Sequence, residues 1–126
     1  MTTVNIARIR ALRRIDAAAG EARLRYITDV PGQQAVYMVK LEEARALLAD
    51  PNATPGPHLV AEAAARGITA LAMAEMVDDL ASVWTGVLSP AIEAARMAGK
   101  LAVDGASDED EVETATQAAI AALNAL

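Results

Sequence analysis

From Thr3 to about Thr28 the apolar positions Ile9, Leu12, Ile15, Ala19, Ala22 and Tyr26 recur every three or four residues, which is the repeat of one helix face. Gly20 weakens the middle of this segment by about 1 kcal/mol relative to alanine. Val30-Pro31-Gly32 then interrupts it, because proline disfavours α geometry in the residue before it. A second helix is predicted over about Gln33–Ala49, where Tyr37, Leu41, Ala44 and Leu48 are spaced 4, 3 and 4. Lys40/Glu43 and Glu42/Arg45 are expected to pair along its wet side, three residues apart. Three prolines in residues 51–57 make a stiff corner. A short helix follows over about His58–Arg66, with Gly67 as its left-handed closing residue and Thr69 as the cap of the next helix.

From Ala70 the stripe Met73, Val77, Leu80, Trp84 and Val87 is spaced 4, 3, 4 and 3, with Glu75, Asp78, Asp79, Ser82 and Thr85 on the other side. Ser89-Pro90 reads as a cap followed by proline in a first helical turn, so either a new helix begins there or a long helix kinks. Beyond it Glu93, Arg96, Lys100 and Asp104 form a polar stripe opposite Ile92, Ala95, Gly99 and Ala102. If continuous, residues 70–104 would span about 50 Å. Gly105 ends this region. Ser107 is expected to cap a last helix whose first turn holds Asp108, Glu109, Asp110 and Glu111, where negative charge meets the positive helix end. Val112, Thr116, Ala119, Leu123 and Leu126 then make a seam of about two heptads, too short to stand alone and so expected to dock on its own chain or on a partner. The expected fold is all-α: four to five amphipathic helices in a single bundle domain, with one long or kinked helix over residues 70–104. Its parts are a helical hairpin 1–50, the corner 51–57 and a helical region 58–126.

Composition supports this class. Alanine, the best helix former, fills 31 of 126 positions, and aromatic residues make up only 2% of the chain, which disfavours a β-sandwich. Cysteine is absent, so no disulfide framework or zinc–thiolate site is expected. No apolar run is long enough for a transmembrane helix, and no hydrophobic leader is read at the start. Charge is uneven. Residues 1–25 carry a net +4 and the rest a net −10, with six acids and no base from Leu101 onward. This polarity suits head-to-tail contacts between subunits, or simple solvation, whereas an overall charge of −6 argues against general nucleic-acid binding.

Candidate chemistry is sparse. The acid run 108–113 lacks the alternating ligands, glycine and distal glutamate of a calcium loop, and reads as a helix start. Glu75, Asp78 and Asp79 lie on one polar face with no opposing carboxylate that the sequence places nearby. His58 is the only histidine; without cysteine it suits a surface or capping role better than a metal site, and no nucleophile motif accompanies it. Arg8, Arg10, Arg13 and Arg14 form a candidate electrostatic contact, for a subunit face, phosphate or an anionic surface. Trp84, Met73 and Met76 mark either core or a recognition face. No catalytic, cofactor-binding or metal-ligating set is expected, and the chain is read as a non-enzyme.

A broader resemblance runs through Arg8–Ile15 with Asp16, Arg25-Tyr26-Ile27-Thr28, Gly32-Gln33-Gln34 with Tyr37, and Lys40-Leu41-Glu42-Glu43-Ala44. It continues through the Pro-rich corner, Leu59-Val60-Ala61-Glu62-Ala63, Gly67-Ile68-Thr69, Trp84, Ile92-Glu93-Ala94-Ala95-Arg96 and Gly99-Lys100. This order resembles short alanine-rich proteins encoded by tailed bacteriophages and prophages of proteobacteria, often among tail and tail-fibre genes. The resemblance implies a structural or assembly role in a virion, for a protein made in the bacterial cytoplasm. A homo-oligomer, or binding to a tail or fibre protein, is the expected partnership, with no nucleic acid and no membrane. The sparse large residues Ile9, Ile15, Tyr37, Leu41, Leu80, Trp84 and Leu123 are the candidate assembly interface, expected to fix register between closely packed alanine faces. The alternatives are a tail-fibre assembly chaperone absent from the mature virion, and a small nucleic-acid-binding regulator using the Arg-rich first helix.

Overall fold

The computed structural model describes residues 2–28 and 30–126. Six α-helical segments follow one another: α1 (Thr3–Leu24), α2 (Gln33–Ala49), α3 (Pro57–Arg66), α4 (Ala70–Val83), α5 (Ser89–Asp104) and α6 (Glu109–Asn124). No strand occurs among the described residues. A π-helical turn over Trp84–Leu88 joins α4 to α5 without a break in helical backbone, so these segments amount to five helices, and residues 70–104 are helical throughout.

Local chemistry explains most of the ends. Thr2 caps α1 by accepting the Asn5 amide at 3.2 Å, and Thr69 caps α4 by accepting the Ala72 amide at 3.1 Å. Gly67 closes α3 at φ +70°, with the Ile68 amide donating back to the Ala63 carbonyl, as the sequence leads one to expect. Two ends differ from expectation. Ser89 is not a cap: Leu88 before it is already α-helical, at φ −72° and ψ −51°. Pro90 lacks the amide that would donate to the Gly86 carbonyl, and its ring crowds that carbonyl; the backbone takes this up by widening to π spacing just upstream. At α6 the cap is Asp108 rather than Ser107. Its carboxylate accepts the Glu111 amide at 2.8 Å, while the Glu111 carboxylate reaches back to the Ser107 amide at 2.6 Å.

The helices pack as two compact units, residues 1–27 with 87–126 and residues 28–86. The expected division at the Pro-rich corner, into a hairpin 1–50 and a helical region 58–126, cuts across both. In unit 1, α1, α5 and α6 pack against one another. Hydrogen-bond partners on α1 and α6 advance together (Arg14 with Glu113, Arg25 with the Leu123 carbonyl), so these helices run parallel. Partners on α1 and α5 run in opposite order (Asp16 with Lys100, Arg23 with Glu93), so α5 is antiparallel to α1. The buried set is Ala11, Ile15, Ala18, Ala19 and Ala22 from α1, Ile92, Gly99 and Val103 from α5, and Val112, Thr116, Ala119 and Leu123 from α6. The heptad seam of the last helix therefore docks on its own chain. Thr116, fully buried, satisfies its hydroxyl by donating to the Val112 carbonyl at 2.6 Å.

In unit 2, Ala44 and Leu47 of α2, Leu59 and Ala63 of α3, and Met73, Ala74 and Val77 of α4 form the core, with Leu41, Leu48 and Ala70 at its edge. The expected i,i+3 pairs on α2 do not form. Lys40 reaches Glu62 of α3 at 2.9 Å, Glu43 reaches His58 of α3 at 2.9 Å, and Arg45 lies 3.6 Å from Asp78 of α4. Bridges between helices use these charges because the same side chains flank the packed face.

Candidate functional site

The proposed interface residues divide into two groups. Ile15 and Leu123 are fully buried in unit 1 and hold its three helices together, so they form no outward face. Tyr37 and Leu41 on α2 are half-buried, and Leu41 packs on the core of unit 2. Trp84 is half-buried at the first position of the π turn. Ile9 and Leu80 are exposed, Leu80 by 66% of its surface. The stripe read along α4 is thus rotated. Met73, Ala74, Val77 and Ala81 face inward, while Met76, Leu80 and Val83, spaced 4 and 3, face outward. Ala74 is fully buried in the core shared with α2 and α3, Ala81 is also fully buried, and Leu80 is turned out. In unit 1, α5 has its own outward pair, Met97 and Leu101.

The four arginines also divide. Arg8 donates to the Ala106 carbonyl after α5 and to Asn5 Oδ1 at 2.8 Å. Arg14 pairs with Glu113 at 2.9 Å. Arg10 and Arg13 are exposed and make no ion pair among the described residues. Just past α1, Arg25 donates to the Leu123 carbonyl at 2.9 Å, which also accepts the Leu126 amide, and the Tyr26 hydroxyl donates to the Leu126 carbonyl, so the chain leaving α1 is tied to the end of α6. Of the contrast between a basic start and an acidic end, unit 1 uses one ion pair, Arg14–Glu113, while Arg8 and Arg25 bond backbone carbonyls.

A second charge network joins α1 to α5. Arg96 contacts Glu93 at 3.0 Å and Asp16 at 2.9 Å, Lys100 contacts Asp16 at 3.1 Å, and Arg23 contacts Glu93 at 3.0 Å. The expected solvated stripe of α5 is thus largely a helix-to-helix clasp. Burial pushes the Asp16 carboxyl up, but hydrogen bonds from Lys100 and Arg96 outweigh it and hold it below the usual range. The Arg96 hydrogen bond holds Glu93 low, and Glu93 with Asp16 raises Arg96 further above its ordinary value. In unit 2 the Lys40 hydrogen bond, helped by Arg66, holds Glu62 low. Hydrogen bonds from Gln117 and Arg14 do the same for Glu113.

These carboxylates bind protons more weakly in the folded chain than in the unfolded one. Their stabilisation is complete above the ordinary carboxylate range and is lost as pH falls through the lowered values. The thermal midpoint is therefore expected to fall as pH drops from about 5 to about 3. A melting series across that window checks this, and Asp16→Asn together with Glu62→Gln should flatten the dependence.

His58 Nδ1 lies 2.9 Å from Glu43 Oε2, and Glu43 Oε1 accepts the His58 amide at 2.9 Å, so a carboxylate from α2 caps the start of α3. Gly56 leaves it room, since a Cβ there would overlap the Glu43 carboxylate. Asp78 is held by Arg45, while Glu75 and Asp79 are exposed. No group of acids and histidine able to hold a metal ion occurs among the described residues, and no described helix is long and apolar enough to cross a membrane. What the sequence missed is the outward register of α4, for which exposed Met76 and Val83 at heptad spacing with Leu80 were the available signal. No family model, curated protein or solved structure matches this chain.

Proposed function

We propose that the chain is a non-enzymatic building block of a tailed-bacteriophage particle, associated with the tail or tail fibre and working through helix-to-helix assembly. The observation that carries this reading is the outward face of α4. Met76, Leu80 and Val83 stand exposed at heptad spacing while a separate set, Met73, Ala74, Val77 and Ala81, fills the core. Large apolar side chains at helical repeat on a surface fit a groove or helix of a partner. The resemblance to phage tail-region proteins supplies the particle as the setting. Ala-rich faces permit close approach between helices, and the bulky residues set register.

Mass spectrometry of purified particles from an infected or induced host tests the reading. The expected result is the chain at a fixed ratio to the tail proteins. Its presence in assembly intermediates alone would assign it the chaperone role instead.

A further inference from the structure

Nine of the eleven basic residues are engaged within the chain: Arg8, Arg23 and Arg25 in the ways described, and the others in bridges that include Arg14–Glu113, Arg66–Glu62 and Lys100–Asp16. Arg10 and Arg13 are left over among the described residues. They lie one turn apart on the outward side of α1 and share that side with Ile6 and Ile9, both about two-fifths exposed. The acids at the start of α6 leave a matching remainder. Asp108 is spent on the Glu111 amide and Glu111 on the Ser107 amide, while Glu109 and Asp110 are exposed with no ion pair among the described residues. These two remainders lie at the same end of unit 1, because Arg8 is bound to the Ala106 carbonyl and Arg14 to Glu113, on the flanks of both patches.

From this placement we infer that the outward face of α1 is a self-docking surface, closing a two-fold dimer in which Arg10 and Arg13 of each copy meet Glu109 and Asp110 of the other. Adjacent patches of opposite sign at one end are what a single two-fold axis needs, since both sets of contacts then form at once and the assembly closes. Ile6 and Ile9 lie inside the contact and add apolar burial to charge pairing. A second copy suits this face better than a nucleic acid, because the exposed acids Glu109 and Asp110 at the same end would repel a polyanion but are matched by Arg10 and Arg13 of another copy. The inference rests on the reading that the chain works by assembly, and names one of its surfaces and its occupant.

Sedimentation of the full chain at about 50 mM and about 500 mM salt tests it, because exposed pairs are screened as the Debye length shrinks. The wild type is expected to form a dimer that weakens at the higher salt. R10E/R13E and E109R/D110R are each expected to raise the dissociation constant at least about tenfold, equivalent to 1.4 kcal/mol. An equimolar mixture of the two should associate again, because their charges are once more complementary. Circular dichroism monitors folding, and R10Q/R13Q provides a milder variant should a reversal fail to fold. A wild type that stays monomeric at about 100 µM at the lower salt, where a useful dimer would be populated, overturns the inference. So does a folded reversed variant that dimerises like the wild type, or a mixture of folded variants that stays monomeric. A monomer whose Arg10 and Arg13 instead retain a single-stranded RNA overturns it in favour of nucleic acid. A monomer found in purified particles overturns this dimer and leaves the structural reading standing; a dimer missing from particles does the reverse.

Discussion

Replacing Ile15 with alanine is expected to destabilise the protein by about 2–5 kcal/mol, the range for truncating a fully buried aliphatic side chain. Ile15 is completely shielded from solvent on α1, and its Cδ1 reaches to within 3.4 Å of where a Cβ on Gly99 of α5 would stand. The loss combines transfer of the missing methyl groups with a cavity that alanine neighbours fill poorly. Ala18, Ala19 and Ala22 have no side-chain torsion with which to move into the gap. Urea unfolding followed by circular dichroism measures the change. Leu80→Ala, on the outward side of α4, provides the contrast, with an expected change within about 0.5 kcal/mol. Equal losses at the two sites would contradict the inside-and-outside division.

Gly99→Val is expected to cost more than about 3 kcal/mol, at or beyond the upper end of the usual overpacking range. A Cβ at Gly99 would sit 2.5 Å from the Ala119 Cβ of α6, a distance at which something must shift. Neither partner is a flexible chain end, so relief requires moving α5 away from α6. Gly99→Ala makes the same clash with a smaller group. Its overpacking, about 1–3 kcal/mol, opposes a helix-propensity gain of about 1 kcal/mol. Ala119→Gly removes the opposing methyl. The double variant Gly99→Ala with Ala119→Gly should therefore lie closer to wild type than the two single changes added together, a coupling that denaturant titration of the four proteins reads directly. Strict additivity would mean that the two helices do not meet through these residues.

Particular residues show how much was legible in the sequence. The all-α class follows from alanine content and the 3.6-residue period, and the ends at Thr69 and Gly67 follow from cap chemistry acting over three or four residues. The seam Val112, Thr116, Ala119 and Leu123 is inward as its spacing indicates. The grouping of helices was not legible, because α1 meets α5 and α6 across some seventy to a hundred residues of chain, and no local signal encodes that choice. The face of α4 was misread for a related reason. An alanine-rich helix carries two neighbouring stripes that both look apolar, and the buried one takes Ala74 and Ala81 in place of Leu80. Charges followed the packing: Lys40 and Glu43 chose partners on α3 over each other. Of the candidate contact residues, Ile9, Leu80, Arg10 and Arg13 are the ones left pointing outward, half-buried Tyr37, Leu41 and Trp84 lie at the margin, and Ile15 and Leu123 belong to the core.

The central claim is that the bulky side chains turned outward on α4 serve attachment to a particle. Quantitative mass spectrometry of purified particles, from hosts making the wild type or Leu80→Asp, tests it most directly. Leu80 is exposed in the free chain, so the substitution should leave the melting temperature nearly unchanged. Burying an aspartate in an apolar contact should deplete the variant from particles by at least about tenfold. Equal recovery of the two proteins in particles, or no wild-type chain in them at all, would contradict the claim.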